Sequence, residues 1–157
     1  MIQEMEANMA LNTIRDIVVN CAKSYGDMTA FRFISGKELK DKTYSELKAE
    51  SEAVSRMLDK FELTGKHIAL IGASSYEWIV SYLGIVDSGS VAVPLDSSLP
   101  PAELYELINR ADVSAVIYDK TQKAMADGIS ENCPEVKYMI AMQDNALLEG
   151  GYSLTSL

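Results

Sequence analysis

The chain has one histidine, one tryptophan and two cysteines in 157 residues. A single histidine, His67, excludes most His-based catalytic constellations and every His-rich metal site. Placed after Gly65-Lys66 at the mouth of an apolar run, it reads as a partly solvated structural residue. Cys21 and Cys133 lie far apart and show no metal-ligand spacing, so no disulfide framework or zinc motif is present, and both are expected to be reduced, as in a cytoplasmic protein. Basic residues are also scarce. Fourteen Lys and Arg against 23 Asp and Glu leave a net charge of -9, which argues against nucleic acid or an anionic membrane as partner. Long apolar runs are missing as well: the longest uncharged one, Trp78 to Val86, is far short of the ~20 residues that span a bilayer. The opening Met1-Ile2-Gln3-Glu4-Met5-Glu6 is too acidic and too weakly apolar for a signal peptide. No G-x-x-x-x-G-K-[ST] loop, internal repeat or low-complexity segment occurs.

What is present is alternation of helical and strand patterns. Ile14, Ile17, Val18, Cys21 and Tyr25 predict an amphipathic helix from Thr13 to Gly26. Ala30 to Ile34 and Leu39 to Tyr44 flank Ser35-Gly36-Lys37-Glu38, a hairpin joint. Thr43 and Glu46 have capping-box spacing, followed by a buried stripe of Leu47, Val54, Leu58 and Phe61, while Glu46, Glu50 and Glu52 read as a solvated face. His67 to Ala73 suits a strand covered on both faces. Ser74 and Glu77 form a second predicted capping box, opening a helix near Ser75 that is apolar on nearly every side through Val86. Gly89 then closes that helix in the left-handed region, and Val91, Val93 and Leu95 alternate as a strand until Pro94 removes a ladder donor. Pro100 and Pro101 start a helix striped by Leu104, Leu107, Ile108 and Ala111. A strand from Ala115 to Tyr118, a short helix from Thr121 to Asp127, a break at Pro134 and a strand from Val136 to Met142 complete the pattern. Residues 143–157 are expected to form a weakly structured tail, broken at Gly150-Gly151. The whole, residues 1–157, is predicted to be a single α/β unit: a mostly parallel sheet with flanking helices and an N-terminal antiparallel hairpin.

Ile71-Gly72-Ala73-Ser74-Ser75 invites a dinucleotide-binding reading, since a strand, a glycine and a helix N-terminus is where pyrophosphate sits. Tyr76 and Trp78 stand where further glycines are needed, so nicotinamide binding is the weaker alternative. The residues themselves supply no complete active site: no catalytic, cofactor-binding or metal-binding residue is assigned.

Thr43-Tyr44-Ser45-Glu46-Leu47 resembles the first core motif of the adenylate-forming superfamily, and Leu83 to Asp96, with Gly89, Pro94 and Asp96, resembles the second. Gly65 to Ile71, Tyr76-Glu77-Trp78 and Pro94 to Pro100 are similar to the intervening elements of bacterial long-chain fatty-acid–CoA ligases, over about Ala30 to Tyr118. The resemblance implies a partial N-terminal domain of the acyl-CoA synthetase-like fold. It further implies a parent enzyme that joins a fatty acid to ATP, releases pyrophosphate and transfers the acyl group to CoA with Mg²⁺. The phosphate loop and later motifs of that family do not occur in this sequence, so the chain alone is expected to be an inactive scaffold for the remainder of the enzyme. A homodimer through surface that the remainder would cover is a further expectation. A stand-alone, non-catalytic binding or interaction module of the same fold is the alternative.

Overall fold

A computed structural model describes residues 13–156. The reading of the N-terminal Met1 to Ala10 lies outside the described residues. Helix α1 (Ile14–Tyr25) carries a full capping box between Thr13 and Asp16. Strands β1 (Thr29–Ser35) and β2 (Glu38–Thr43) pair antiparallel around Gly36, whose φ of 66° lies in the left-handed region. Helix α2 (Tyr44–Lys60) follows directly.

The remaining strands form a five-stranded parallel sheet in the order β4-β3-β5-β6-β7. These are β3 (His67–Ile71), β4 (Val91–Leu95), β5 (Val113–Tyr118), β6 (Tyr138–Ala141) and β7 (Tyr152–Ser153). Between them run α3 (Tyr76–Asp87), α4 (Pro101–Arg110), and two short helices, α5 (Lys123–Asp127) and α6 (Ile129–Asn132). Side chains on a strand alternate faces, and both faces of this sheet are dry. Ile68, Leu70, Ala115, Ile117 and Ile140 pack with Leu47, Val54, Leu58, Val80 and Ile85 of α2 and α3. Ala69, Ile71, Val116, Tyr118 and Ala141 pack with Leu104 and Ile108 of α4 and with Met125 and Ile129. Two-sided burial is why Ile68 to Ile71 of β3 and Ala115 to Tyr118 of β5 are continuously apolar. Helix α3, predicted to be covered, has no exposed residue.

Three sequence expectations are corrected. Residues 143–156 are not a weakly structured tail: β7 adds to the sheet edge, Ala146 is fully buried, and its carbonyl accepts the Tyr118 hydroxyl at 2.9 Å. Burial pushes the Tyr118 phenol up to about 12. A two-residue strand has no periodicity to read, which is why it escapes detection. The Glu46-Glu50-Glu52 face is not uniformly solvated. Glu50 pairs with Lys42 of the hairpin and Glu52 with Lys48, and both carboxylates are half-buried. The strand set at His67–Ala73 stops at Ile71, because Gly72 and Ala73 turn away to meet a side chain from β5's end.

Candidate functional site

In an open parallel sheet, ligands bind beyond the carboxyl ends of the strands at the point where strand order reverses. Here β3 sends the chain outward to β4 and then back across to β5, so the reversal falls between β3 and β5. Gly72 and Ala73 leave β3 there, and Asp119 leaves β5. The Asp119 carboxylate crosses the gap: one oxygen accepts the Ala73 amide at 2.8 Å, and the other accepts the Thr121 amide at 2.9 Å and the Thr121 hydroxyl at 2.5 Å. Asp119 is only 5% exposed. A Cβ on Gly72 would stand 2.8 Å from the Asp119 carboxyl carbon, so glycine is required by this close approach.

The place where a strand–glycine–helix turn would cradle a phosphate therefore holds the chain's own carboxylate. The residues present do not fit a phosphate after β3, and the dinucleotide reading falls with them. Sequence reasoning missed Asp119. Its signal was legible: an aspartate ending an apolar strand with a threonine two residues on is an Asx-type turn. Around it, Gln143 accepts the Lys120 amide at 3.0 Å, and the Gln122 side chain donates to the Ser97 carbonyl at 3.0 Å, tying the ends of β4, β5 and β6 into one rim.

The predicted motif residues fall at three joints. Thr43 and Glu46 form a reciprocal capping box at the start of α2, with bonds of 3.2 and 2.8 Å. The Thr43 amide holds the Glu46 carboxyl below its ordinary range. The Tyr44 and Ser45 amides donate to the carbonyls of Met28 and Gly26, Tyr25 and Tyr44 put their rings 5.9 Å apart, and Leu47 enters the core. This motif locks α1, the hairpin and α2 together. The expected box of Ser74 and Glu77 is not formed. Ser75 is the N-cap, its hydroxyl accepting the Trp78 amide at 3.1 Å, while Ser74 is exposed. The physical reason is Asp119, which pins Ala73 and lets the chain enter the helix only one residue after Ser74.

Gly89 has φ 73°, and the Ser90 amide bonds Ile85 while the Gly89 amide bonds Val86, the paired bonds of a Schellman close. Pro94 is exposed on the edge strand β4, where no neighbour needs its missing donor. Asp96 accepts the Ser98 amide and hydroxyl at 2.9 and 2.7 Å, which holds its carboxyl below the usual range. His67 bonds the Ala111 carbonyl through Nδ1 and anchors β3 to the turn before β5. Cys21 and Cys133 are both free, and burial raises the Cys133 thiol. Among the described residues no group of three His, Cys, Asp or Glu is placed to hold a metal, and no helix is long and apolar enough to cross a membrane.

Comparison with known proteins gives the same architecture a family. An anthranilate CoA ligase in complex with anthranoyl-AMP superposes with a TM-score of 0.80 at 21% identity, over 90% of this chain and 27% of that one. The coronafacic acid ligase of Pectobacterium brasiliense gives a TM-score of 0.78 at 18% identity, over 89% of this chain and 28% of that one. At such identity the likeness is one of fold. In sequence, the D-alanine–D-alanyl carrier protein ligase of Lactiplantibacillus plantarum is 38% identical over 76 residues, 48% of this chain and 15% of the relative. A CoA ligase of Gibberella moniliformis is 34% identical over 77 residues, 46% of this chain and 13% of the relative. The chain thus spans a small share of these ligases' length. The family model of AMP-binding enzymes matches residues 18–154, nearly the whole described structure, and the chain belongs to that family of adenylate-forming enzymes.

Proposed function

We propose that this chain is the N-terminal, non-catalytic part of an AMP-forming acid–thiol ligase of the acyl-CoA synthetase type. The parent would join a carboxylic acid to ATP, release pyrophosphate and pass the acyl group to CoA, with ATP, CoA and Mg²⁺ as its small-molecule partners. A long-chain fatty acid is the substrate class we assign, from the likeness of Tyr76 to Pro100 to bacterial fatty-acid–CoA ligases. A cytoplasmic setting accords with the two unpaired cysteines.

The observation that carries this reading is the family match over 18–154 together with a strand-reversal point closed by Asp119. Stabilising charge on a reacting phosphate takes donors, a cation or a metal aimed at it. At the rim, the Ala73 and Thr121 amides are already spent on a carboxylate. The chain's contribution is the rim on which such groups from the rest of the ligase would be mounted. In this reading the uncovered surface also drives self-association, visible as a concentration-dependent species in sedimentation velocity.

ATP–pyrophosphate exchange is the test, with fatty acids, aryl acids and D-alanine as candidate acids. The isolated chain is expected to stay at the buffer background with all of them. Exchange above background that a substitution at Asp119 abolishes would overturn the non-catalytic assignment.

A further inference from the structure

The inner face of the hairpin is where a strand pair turned towards a protein body should be apolar, yet half of it is cationic. Register pairs Phe33 with Lys40 and Phe31 with Lys42, so these four share the face that meets Tyr76. The outer face carries Arg32, bonded to Asp41, beside Ile34 and Leu39. In a chain of net charge -9, the hairpin is locally basic: Arg32, Lys37, Lys40 and Lys42 oppose only Glu38 and Asp41.

Below this face lies a cavity of about 580 Å³, within the range that small-molecule sites occupy. Phe33, Val54, Val80, Met142 and Leu154 give it apolar walls. Lys40 and Arg56 line it, and neither has an acidic partner among the described residues. Lys42 and Glu50 line it as an ion pair, and Glu77 adds one negative charge. Tyr76 also lines it, only 6% exposed, with a hydroxyl that has no hydrogen-bond partner. A buried hydroxyl left unpaired loses its water without a replacement partner and is destabilising. The acceptor within its reach is Glu50, whose charge, after burial, helps to raise the Tyr76 phenol. Lys42 holds that carboxylate instead, with its ammonium 5.4 Å from the centre of the Tyr76 ring.

We propose that this cleft binds an anionic amphiphile: an apolar tail among Phe33, Val80, Met142 and Leu154, and a single carboxylate or phosphate head held by Lys40, Lys42 and Arg56. The head draws Lys42 from Glu50, which leaves that carboxylate free to accept the Tyr76 hydroxyl. The site lies under the hairpin, on side chains that take no part in the Asp119 rim. It goes beyond the ligase reading and does not rest on it.

Titration of the chain with decanoate, decyl phosphate and decyltrimethylammonium below their micelle concentrations tests this, with calorimetry for affinity and amide chemical shifts for location. The two anions are expected to bind, shifting Phe33 and Tyr76 to Val80, and the tighter of them identifies the head group. The cation is expected to bind at least tenfold more weakly. Replacing both exposed cations, Lys40→Ala with Arg56→Ala, should weaken the anions tenfold or more. Glu50→Gln, which removes the competitor for Lys42, should tighten them several-fold, and Tyr76→Phe should weaken them several-fold at unchanged thermal midpoint. No saturable binding, equal binding of anion and cation, or affinity indifferent to Lys40 and Arg56 would each overturn the proposal.

Discussion

The Asp119 carboxylate accepts the Ala73 amide at 2.8 Å across the gap between β3 and β5, joining residues that stand 46 positions apart in the sequence. That bond fixes where β3 ends, which serine caps α3 and why Gly72 has no side chain.

Removing it should therefore be expensive. Asp119→Ala leaves the Ala73 and Thr121 amides without their acceptor in a part-buried rim, a loss of about 1–3 kcal/mol. Gly72→Ala should cost about 1–3 kcal/mol through overpacking against the same carboxylate. Urea unfolding of the two single variants and the double variant measures the coupling. The double variant should be less destabilised than the sum, because Asp119→Ala makes room for the new methyl group.

The cap of α3 gives a sharper contrast. Ser75→Ala should cost about 1 kcal/mol and Ser74→Ala less than about 0.5, since only Ser75 accepts the Trp78 amide. Equal effects at the two serines would return the cap to Ser74. Thr43→Ala, which breaks the box at α2, is expected to match Ser75→Ala.

At Gly89 the cost is set by backbone and not by space. A Cβ there would come no nearer than 3.5 Å to Thr64, so packing is permissive while φ of 73° is not. Gly89→Asn should lower stability by about 0.5 kcal/mol and Gly89→Val by about 1–2 kcal/mol, because a branched side chain is the least tolerant of the left-handed region. Thermal midpoints of the two variants should rank in that order.

Acid should destabilise the fold through carboxylates whose partners exist only in the native state. Arg32 lowers Asp41, the Thr43 amide lowers Glu46, the Ser98 amide lowers Asp96, and Ser153 with Thr155 lowers Asp144. A group depressed on folding contributes its stability above its unfolded value and loses it as pH falls through the folded value. The onset is therefore near 4.5 for Glu46 and 3.8 for the three aspartates, and the loss continues below. Denaturation followed from pH 6 to pH 2 should show this limb, and Glu46→Gln, which removes the titrating carboxyl, should remove the part of it that begins at the higher pH.

Much of the fold is legible because its causes are local. Thr43 sits three residues before Glu46, and Gly89 lies just past an apolar helix, so each joint is written within a few positions. Apolar runs at Ile68 to Ile71 and Ala115 to Tyr118 state that both sheet faces are covered, which requires only that water be excluded from every side chain in turn. The motif resemblance likewise runs along contiguous stretches, and it named the family that the match over 18–154 supports.

What the sequence left undecided depends on partners far along the chain. Ser74 and Ser75 are chemically equal as caps, and the choice between them is made by Asp119, a residue from another strand. Tyr152 and Ser153 have no strand pattern of their own and become β7 only because the edge of β6 offers them hydrogen bonds. Lys42 lies over the Tyr76 ring only because the antiparallel register sets it opposite Phe31 on the inner face of the hairpin. Composition and spacing thus determined most of the elements, because propensity and periodicity act over a few residues, while the family rested on the resemblance of contiguous motifs. Which carboxylate meets which amide, and which charges face a cavity, was decided by tertiary structure, because only folding brings such groups within hydrogen-bonding distance.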